Sequence, residues 1–478
     1  MKMKLLLSIF LSALFVISCD DFKELDAPVP GSTSGNANFS RFVTIGNSIT
    51  AGYQSGTIYQ SGQIYSYGNL IAQRVGTEFQ MPLVSDPGLG GRMEVVKTSP
   101  FTLYTNPSKG SLLNASYNAP YNNLGVPGAL TYDVLYATNS TNCASAVFAN
   151  SPNPYFDVIL RNSTLNKGTQ LQQALALAPT FITLWIGNND VLGYATSGGT
   201  SPAAPTSVGQ FQQLYGGIVQ GLQQYIAVSG AKVAVANIPS VTAIPFFTTV
   251  GSQIAAGLPW AQLPLGFVYQ KAGESGIGSG SASQSNMASG QILVTLRGSS
   301  YASLIGQPTG KFYKDNKFPA LPAGIDTTKP FGVHPQNPFP NAFVLDADEI
   351  ATAQNTVASY NAHIASLANA NGYALVDINT AFNTYRQNDL DGTIVNGITF
   401  KTTYVSGGLF SLDGVHPTSQ AHGIIANEFI KAINAKFGAK IQPIDVSAIP
   451  GSLYFQGKVS YKNGYPIIPK EVLDNVLF

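Results

Sequence analysis

Three side chains, distributed between the two ends of the sequence, are of the types that nucleophilic acyl transfer requires. Ser48 follows the glycine of the stretch FVTIGNSITAGY, and Asp413 stands three residues before His416 in SLDGVHPTS. A serine hydroxyl is a poor nucleophile unless a neighbouring base takes its proton. In a tight turn the Asp413 carboxylate can accept a hydrogen bond from the imidazole Nδ1, which leaves Nε2 free as that base. Read alone, DGVH fits a helix-capping aspartate beside an ordinary histidine equally well.

The other three histidines have no such pattern around them. His363 falls within a predicted helix, and His422 lies in the first turn of the last predicted helix. His334 stands in FGVHPQNPF, with no acid just before it. We expect all three to be structural. No HExxH motif and no cysteine–histidine cluster occurs in the sequence, so we expect no metal site.

Two further stretches could bind the negative charge that develops on a carbonyl oxygen. In TLWIGNNDVLG, Gly187 breaks an apolar run, and the carboxamide of Asn189 in the following turn can donate to an oxyanion. In NLGVPGA, residues 123–129, a glycine without a side chain lets its N–H approach a ligand closely. Either stretch on its own is most often an ordinary turn.

Apolar runs alternate with helical patterns along the chain. Short runs rich in Val and Ile predict strands, and apolar residues at helical spacing predict helices between and after them. The strands are predicted over 41–45, 180–186, 232–236 and 373–378, and the helices over 171–177, 208–228, 350–371 and 419–437. This alternation predicts an α/β fold with a parallel sheet covered on both faces. In such a sheet the candidate residues can meet in the crevice at the carboxyl ends of the strands.

Taken in order, these stretches resemble the sequence blocks of the SGNH hydrolases, also called the GDSL esterase/lipase family. GNSIT matches the block of the nucleophilic serine, GNND matches the G-x-N-D block, and DGVH matches D-x-x-H. NLGVPG resembles the glycine block, in which Gly128 is the best match for the oxyanion glycine and Gly125 is the second. Each block is unspecific, but all four in this order are strong evidence for the resemblance.

The resemblance implies a fold and a mechanism. The fold is a three-layer α/β/α sandwich around a parallel five-stranded sheet. The mechanism is hydrolysis of a carboxylic ester through an acyl-enzyme, with Ser48, Asp413 and His416 as catalytic residues. The oxyanion hole would consist of the N–H groups of Ser48 and Gly128 and the side chain of Asn189. No cofactor is expected.

One residue departs from the family pattern. The usual Gly-Asp-Ser has become Gly-Asn-Ser, with Asn47 in place of the acid. That acid is not the triad carboxylate, and asparagine keeps local hydrogen bonding, so we expect activity to survive, with an effect on pH dependence and turn stability left open. No G-x-S-x-G motif occurs, so the nucleophile elbow of the α/β-hydrolases is not expected.

Three functions remain open at this point. The first is hydrolysis of lipid or short-chain acyl esters, and the second is a carbohydrate O-acyl (acetyl) esterase whose tyrosines and polar insertions line a sugar groove. The third is a non-catalytic surface lipoprotein that binds glycan or protein, against which the intact set of candidate residues argues. The net charge is +1 and there is no basic run, so nucleic acid is not expected as a partner.

The first residues have the pattern of an export signal. Lys2 and Lys4 precede an apolar stretch over 5–17, which is too short to span a bilayer, and the stretch is followed by Ser18 and Cys19. This resembles the lipobox of bacterial lipoproteins. It implies lipidation of Cys19 and attachment to the outer membrane of a bacterial cell envelope, with surface display left open. An ordinary signal peptide with an incidental cysteine is the alternative.

We therefore expect one folded domain and three smaller segments, two before it and one after it. The expected division is a signal peptide over 1–18, a lipidated cysteine and flexible tether over 19–40, a hydrolase domain over 41–440, and a C-terminal appendage over 441–478. Insertions rich in Gly, Pro and Ser interrupt the domain near 84–120 and 238–345. Long insertions of this kind often serve as lids or binding loops.

Overall fold

The computed structural model of the protein describes residues 32–98, 101–200, 205–271 and 280–451. The predicted signal peptide, the predicted lipidation site Cys19 and most of the predicted tether lie outside these residues. The C-terminal appendage beyond residue 451 lies outside them as well. Within the described ranges, no helix is both long enough and apolar enough to cross a membrane.

A five-stranded parallel sheet lies at the centre of the molecule, which confirms the predicted fold class. The described strands are β1 (Phe42–Gly46), β2 (Arg92–Thr98), β3 (Phe101–Asn106), β4 (Asn123–Gly125), β5 (Phe181–Trp185), β6 (Lys232–Ala236), β7 (Phe267–Tyr269), β8 (Gly280–Ala282), β9 (Leu293–Val294), β10 (Val344–Leu345), β11 (Ala374–Val376), β12 (Thr393–Val395) and β13 (Ile398–Phe400). The sheet has the order β11-β6-β5-β1-β4, and all neighbouring strands are parallel. The chain order therefore reverses between β1 and β5, where open α/β sheets bind their ligands.

Helices cover both faces of this sheet. The described α-helices are α1 (Ser48–Ala51), α2 (Gln60–Gln63), α3 (Tyr67–Val75), α4 (Thr131–Tyr136), α5 (Ala144–Ala149), α6 (Tyr155–Leu160), α7 (Asn162–Leu165), α8 (Gln170–Ala176), α9 (Asn189–Thr196), α10 (Val208–Ser229), α11 (Pro245–Gly257), α12 (Gln284–Ala288), α13 (Ser299–Ala302), α14 (Lys311–Asp315), α15 (Ala347–Ala370), α16 (Ile378–Gln387) and α17 (Ser419–Phe437). Helices α3 and α17 pack on one face against Phe42 and Trp185. Helices α8, α10 and α15 pack on the other against Ile45 and Leu184. Burial on both faces explains why the strands are apolar throughout.

The long helices begin and end where their local sequence favours it. The Asp346 carboxylate accepts hydrogen bonds from two N–H groups in the first turn of α15, and Glu349 completes a capping box there. The last helix, α17, begins after Thr418, whose side chain accepts from the Ala421 N–H. It ends at Gly438, which takes the left-handed conformation with φ of 64°.

The structure adds elements that the sequence pattern did not indicate. The fifth strand, β4, is only three residues long and lies in the glycine block, so its own composition carries no strand signal. The insertion near 84–120 contains the antiparallel pair β2 and β3. The described residues of the insertion near 238–345 form four α-helices and two short strand pairs.

Segments at both ends pack against the last helix. The Asn36 N–H donates to the Phe437 carbonyl, and Phe39 is buried with its ring stacked on Phe181 at 4.3 Å. The predicted flexible tether is therefore packed on the domain over its final residues, because Phe39 buries apolar surface there. Residues 441–451 also lie along α17, where the Ile444 N–H donates to the side chain of Asn427.

Candidate active site

Ser48 lies at the carboxyl end of the central strand β1. The strand ends at Gly46, where a side chain would collide with Thr50 and with the Trp185 carbonyl, so the turn needs glycine. The Asn47 side chain accepts a hydrogen bond from the Ile49 N–H at 3.2 Å, which caps the single turn of α1. Ser48 is the first residue of that turn and is 7% exposed.

One hydrogen bond joins Ser48 to His416, 368 positions away in the sequence, and a second joins His416 to Asp413. The His416 Nε2 lies 2.9 Å from the Ser48 Oγ, and the His416 Nδ1 lies 2.9 Å from the Asp413 Oδ2. His416 and Asp413 are buried, at 3% and 0% exposed. With Nδ1–H donating to the carboxylate, Nε2 has a lone pair that can accept the serine proton.

Asp413 accepts hydrogen bonds on both carboxylate oxygens. One oxygen accepts from the N–H groups of Val415 and His416, and the other accepts from the imidazole and from the Gly56 N–H. Burial alone would raise the pKa of Asp413, but the neighbouring imidazole and these N–H donors outweigh it and lower the pKa below its ordinary value. The carboxylate is therefore ionised at neutral pH, as a partner for an imidazolium must be.

The loop that carries His416 is held by residues distant in the sequence. The Ser411 N–H donates to the His416 carbonyl at 2.8 Å, and the Ser55 N–H donates to the Ser411 Oγ at 3.0 Å. Gly414 has φ of 71° and its carbonyl accepts from the Phe246 N–H at 3.0 Å. Phe246 belongs to the 238–345 insertion, so this insertion supports the loop.

Tyr53 is a residue of the site that the sequence did not indicate. Its ring lies against the imidazole of His416, with ring centroids 4.5 Å apart. Burial, followed by nearby Tyr155 and Asp413, raises the pKa of Tyr53 well above its ordinary value, so the phenol is neutral. Its place five residues after Ser48 was the one available signal in the sequence.

The glycine block lies beside β1 and leaves one backbone donor open. The Gly125 N–H donates to the Asn123 side chain at 2.9 Å and is therefore occupied. Gly128 has φ of 80°, and its N–H has no hydrogen-bond partner within the described part of the chain. Of the two glycines that the sequence suggested, the geometry favours Gly128.

The GNND turn after β5 is bonded to both neighbouring blocks. The Asn189 carboxamide donates one hydrogen bond to the Ala129 carbonyl at 2.9 Å, directly after Gly128, and has a second N–H. Asn188 accepts from the Asn47 side chain at 3.3 Å. An aspartate at position 47 could not donate this bond, so Asn47 has a structural role of its own here.

Two buried carboxyl groups accept hydrogen bonds from the residues that directly follow the glycine block. Asp190 accepts hydrogen bonds from the N–H and hydroxyl of Thr131 and from the Thr206 hydroxyl, and Asp133 accepts from the Leu130 N–H. Burial, only partly offset by these bonds, raises the pKa of Asp190 to about 6 and that of Asp133 to about 7. Neither role was indicated by the sequence, although Asp190 is part of the GNND block.

The remaining histidines are not brought to this site as hydrogen-bonding partners. The His334 Nδ1 accepts from the Gln336 N–H in its own loop, and the buried His363 Nε2 in α15 has no hydrogen-bond partner among the described residues. Both ring nitrogens of His422 are buried and likewise have no partner in the described part of the chain. Burial, with a smaller effect of His416, lowers the pKa of His422 to about 3. No group of three His, Cys, Asp or Glu side chains suited to a metal ion occurs among the described residues.

Comparison with known proteins identifies a family for part of the chain. The model of the family described as GDSL-like lipase/acylhydrolase matches residues 42–275, which include Ser48, Gly128 and Asn189. No curated protein matches. Among solved structures, an extracellular lipase from Streptomyces rimosus aligns over 83% of this chain and 98% of its own, with 13% identity and a TM-score of 0.29. Because this TM-score is low, we assign the fold from the strand order of the central sheet and not from this similarity. From the family match and the order of its blocks, the chain belongs to the GDSL-like lipase/acylhydrolase family and is a carboxylic ester hydrolase.

Proposed function

We propose that the protein hydrolyses lipid or short-chain acyl esters through an acyl-enzyme on Ser48. The observation that carries this proposal is the pair of 2.9 Å hydrogen bonds from Ser48 through His416 to Asp413. A serine, a base and an orienting carboxylate within hydrogen-bond reach are the parts that such a reaction needs.

We assign each step of the proposed reaction to a group of the candidate site. His416 takes the hydroxyl proton as the Ser48 Oγ attacks the ester carbonyl, and the ionised Asp413 stabilises the imidazolium. The oxyanion accepts hydrogen bonds from the N–H groups of Ser48 and Gly128 and from Asn189. The imidazolium then gives its proton to the departing alkoxide, which leaves an acyl-serine. A water molecule, deprotonated by the same imidazole, attacks this ester. The imidazolium returns the proton to the Ser48 Oγ as the bond between Oγ and the acyl carbon breaks, and the carboxylic acid is released.

The serine mechanism is tested by a nucleophile variant and a matched control. Ser48→Ala should remove hydrolysis of p-nitrophenyl acetate, while Ser252→Ala, on the exposed face of α11, should retain it. A fluorophosphonate should label the wild-type protein, and mass spectrometry should find the label on the peptide that contains Ser48. Equal hydrolysis by Ser48→Ala, with thermal unfolding unchanged, would rule the mechanism out.

A second candidate is a carbohydrate O-acyl esterase, and a polar pocket favours it. This pocket of about 410 Å³ lies along the loop of residues 410–412 and 418–419 and is lined in part by Tyr59, Tyr65, Asp86 and Arg92. The Arg92 guanidinium lies over the Tyr59 ring at 5.1 Å. Aromatic and charged groups of this kind suit a sugar. Release of acetate from acetylated xylan, compared with hydrolysis of p-nitrophenyl esters, distinguishes the two candidates.

We also infer that the protein is lipidated on Cys19 and held at the outer membrane. This inference rests on the apolar stretch over 5–17 and on the small residue before Cys19. Two or more acyl chains provide stable membrane anchoring. In cells fed an alkyne fatty acid, the wild-type protein and Cys143→Ser should be labelled, and Cys19→Ser should not be. Labelling of Cys19→Ser equal to that of the wild type would contradict the inference. Digestion of the protein by protease added to intact cells would show on which face of the outer membrane it lies.

A further inference from the structure

A second pocket, almost entirely apolar, adjoins the proposed triad. It is lined by Ile49, which directly follows Ser48, and by Val415 and Pro417, which stand on either side of His416. The residues next to the nucleophile and the base in the sequence therefore contribute to the wall of this pocket. We refer to it below as the apolar pocket.

The remaining wall comes from α16, from α17 and from the end of the central sheet. Helix α16 contributes Ala381 and Phe382, and the Phe382 ring lies against Phe410 with centroids 5.7 Å apart. Trp185 contributes ring surface, because its indole N–H already donates to the Asn237 carbonyl at 3.1 Å. The surface that faces the cavity is thus hydrocarbon and aromatic carbon.

Ionisable side chains are confined to the wall of Tyr385 and Glu428. Burial, followed by the Glu428 carboxylate, raises the pKa of Tyr385 to about 12, so that phenol is neutral. Glu428 also faces Lys431, with the two side chains 3.5 Å apart. A sugar hydroxyl group would lose its hydrogen bonds to water inside this pocket without gaining replacements, which costs free energy.

We propose that the apolar pocket binds the acyl chain of the ester, so that the substrates are esters of short to medium straight-chain fatty acids rather than acetylated sugars. This inference rests on the proposed serine esterase mechanism. The occupant follows from position and chemistry together, since residues next to Ser48 and His416 line the pocket and most of its wall offers only apolar surface.

The size of the pocket sets the expected chain length. Its volume is about 110 Å³, and a protein cavity of ~150 Å³ accommodates the six carbons of benzene. By proportion the pocket holds roughly four methylene groups. Each buried methylene should raise kcat/KM about fourfold. Activity should therefore rise on the order of 10²-fold from the acetate to the hexanoate ester and level off for longer chains.

The kinetic test changes the pocket at Ala381 and at Phe382. Ala381→Phe fills the cavity and should lower the hexanoate-to-acetate ratio of kcat/KM by at least about tenfold. Phe382→Ala enlarges the cavity and should move the plateau to longer p-nitrophenyl esters. Thr384→Phe places the same ring on the exposed face of α16 and should leave the ratio at its wild-type value. A flat chain-length series, or a ratio that Ala381→Phe does not change, overturns the proposal.

A binding test separates failure of the pocket from failure of the esterase mechanism. In Ser48→Ala, calorimetry should show tighter binding of p-nitrophenyl hexanoate than of the acetate, and the added Ala381→Phe change should remove the difference. If the wild-type protein hydrolyses the acetate through Ser48 but this difference is missing, the pocket assignment is wrong and the mechanism stands. If the folded protein hydrolyses neither ester, the mechanism is wrong, and the binding difference alone decides the pocket.

Discussion

At the level of single residues, the proposed chemistry depends on how Asp413 is bonded. Its two oxygens accept from three backbone N–H groups and from one imidazole nitrogen, and it has no exposure to solvent. Four donors around one carboxylate hold it ionised and fix its orientation. The imidazole of His416 is consequently held with Nδ1 protonated and Nε2 directed at Ser48.

Asp413→Asn tests this orientation. The new carboxamide can keep one oxygen for the N–H groups of Val415 and His416, but its NH₂ group then faces the imidazole Nδ1. That nitrogen must accept instead of donate, so Nε2 carries the proton and cannot act as a base. We expect kcat to fall by about 10³–10⁴-fold, since the equivalent change in a serine protease costs ~10⁴. The surface change Asp445→Asn is the control, and wild-type kcat in Asp413→Asn would contradict the assigned role.

Asn189 tests the proposed oxyanion hole. Asn189→Ala removes a donor that acts mainly in the transition state, so kcat should fall by about 10²–10³-fold with a smaller change in KM. Asn189→Asp keeps the shape but places a negative charge beside the oxyanion, and kcat should fall at least as far. Steady-state kinetics on p-nitrophenyl acetate measures both variants. A kcat for Asn189→Asp within twofold of wild type would exclude the donor role.

At the level of elements, three loops at the carboxyl edge of the sheet hold one another. The turn after β1 is bonded to the turn after β5 through Asn47 and Asn188, and the turn after β5 is bonded to the glycine loop through Asn189 and Asp190. The loop before α17 is fixed separately, by Ser55 and by the 238–345 insertion. The site is therefore assembled from mutually bonded turns and has little independent freedom in any one of them.

Thr418 links the His416 loop to the last helix. Its side chain caps α17 by accepting from the Ala421 N–H at 3.1 Å, and its hydroxyl donates to the Gly408 carbonyl at 2.7 Å. Thr418→Ala should lower the free energy of unfolding by about 1–2 kcal/mol. Thr418→Ser keeps both bonds and should stay within about 0.5 kcal/mol of wild type. Urea denaturation gives both values, and equal losses in the two variants would show that the methyl group, not the hydroxyl, is what matters.

At the level of the whole molecule, the strand order creates the site. Because the chain passes from β1 outward to β4 and then back across to β5, helices leave the two sides of that point in different layers and a crevice opens between them. Ser48 stands on one side of the crevice and the GNND turn on the other. His416 reaches it from a loop that enters after the last strand of the sheet.

Buried carboxyl groups make the stability of the whole fold depend on pH. Because the pKa of Asp190 is raised from 3.8 to about 6, the folded protein keeps a proton that the unfolded chain has lost. The stabilisation that protonated Asp190 contributes is present below pH ~4 and is lost as the pH rises towards 6. When the pH is raised from 4.5 to 7.5, the free energy of unfolding should therefore fall by about 1–3 kcal/mol less in Asp190→Asn than in the wild type.

The measurement is urea denaturation of both proteins at the two pH values. The carboxamide can still accept from both Thr131 donors with its oxygen, while the Thr206 hydroxyl rotates to accept from the NH₂ group. A uniform loss of stability in Asp190→Asn, equal at both pH values, would show that Asp190 is ionised throughout.

The sequence by itself determined the fold class and indicated most residues of the candidate site. Apolar runs that end at a glycine predict strands followed by turns, and this pattern is contained in neighbouring residues. Four strands, the last helix and the stretches GNSIT, GNND and DGVH could therefore be recognised from the sequence. Strand β4 was not, because three residues with Asn and Gly carry too little pattern.

Only the tertiary structure decided what depends on contacts between distant residues. Which of Gly128 and Gly125 is the better candidate for the oxyanion donor depended on which N–H was already bonded, and the contact of Tyr53 with His416 depended on packing. The apolar pocket required α16, α17 and the end of the sheet to meet, although these lie far apart in the chain. Such contacts form because the sheet and its helices bury apolar surface together, and no residue's own neighbours in sequence encode that arrangement.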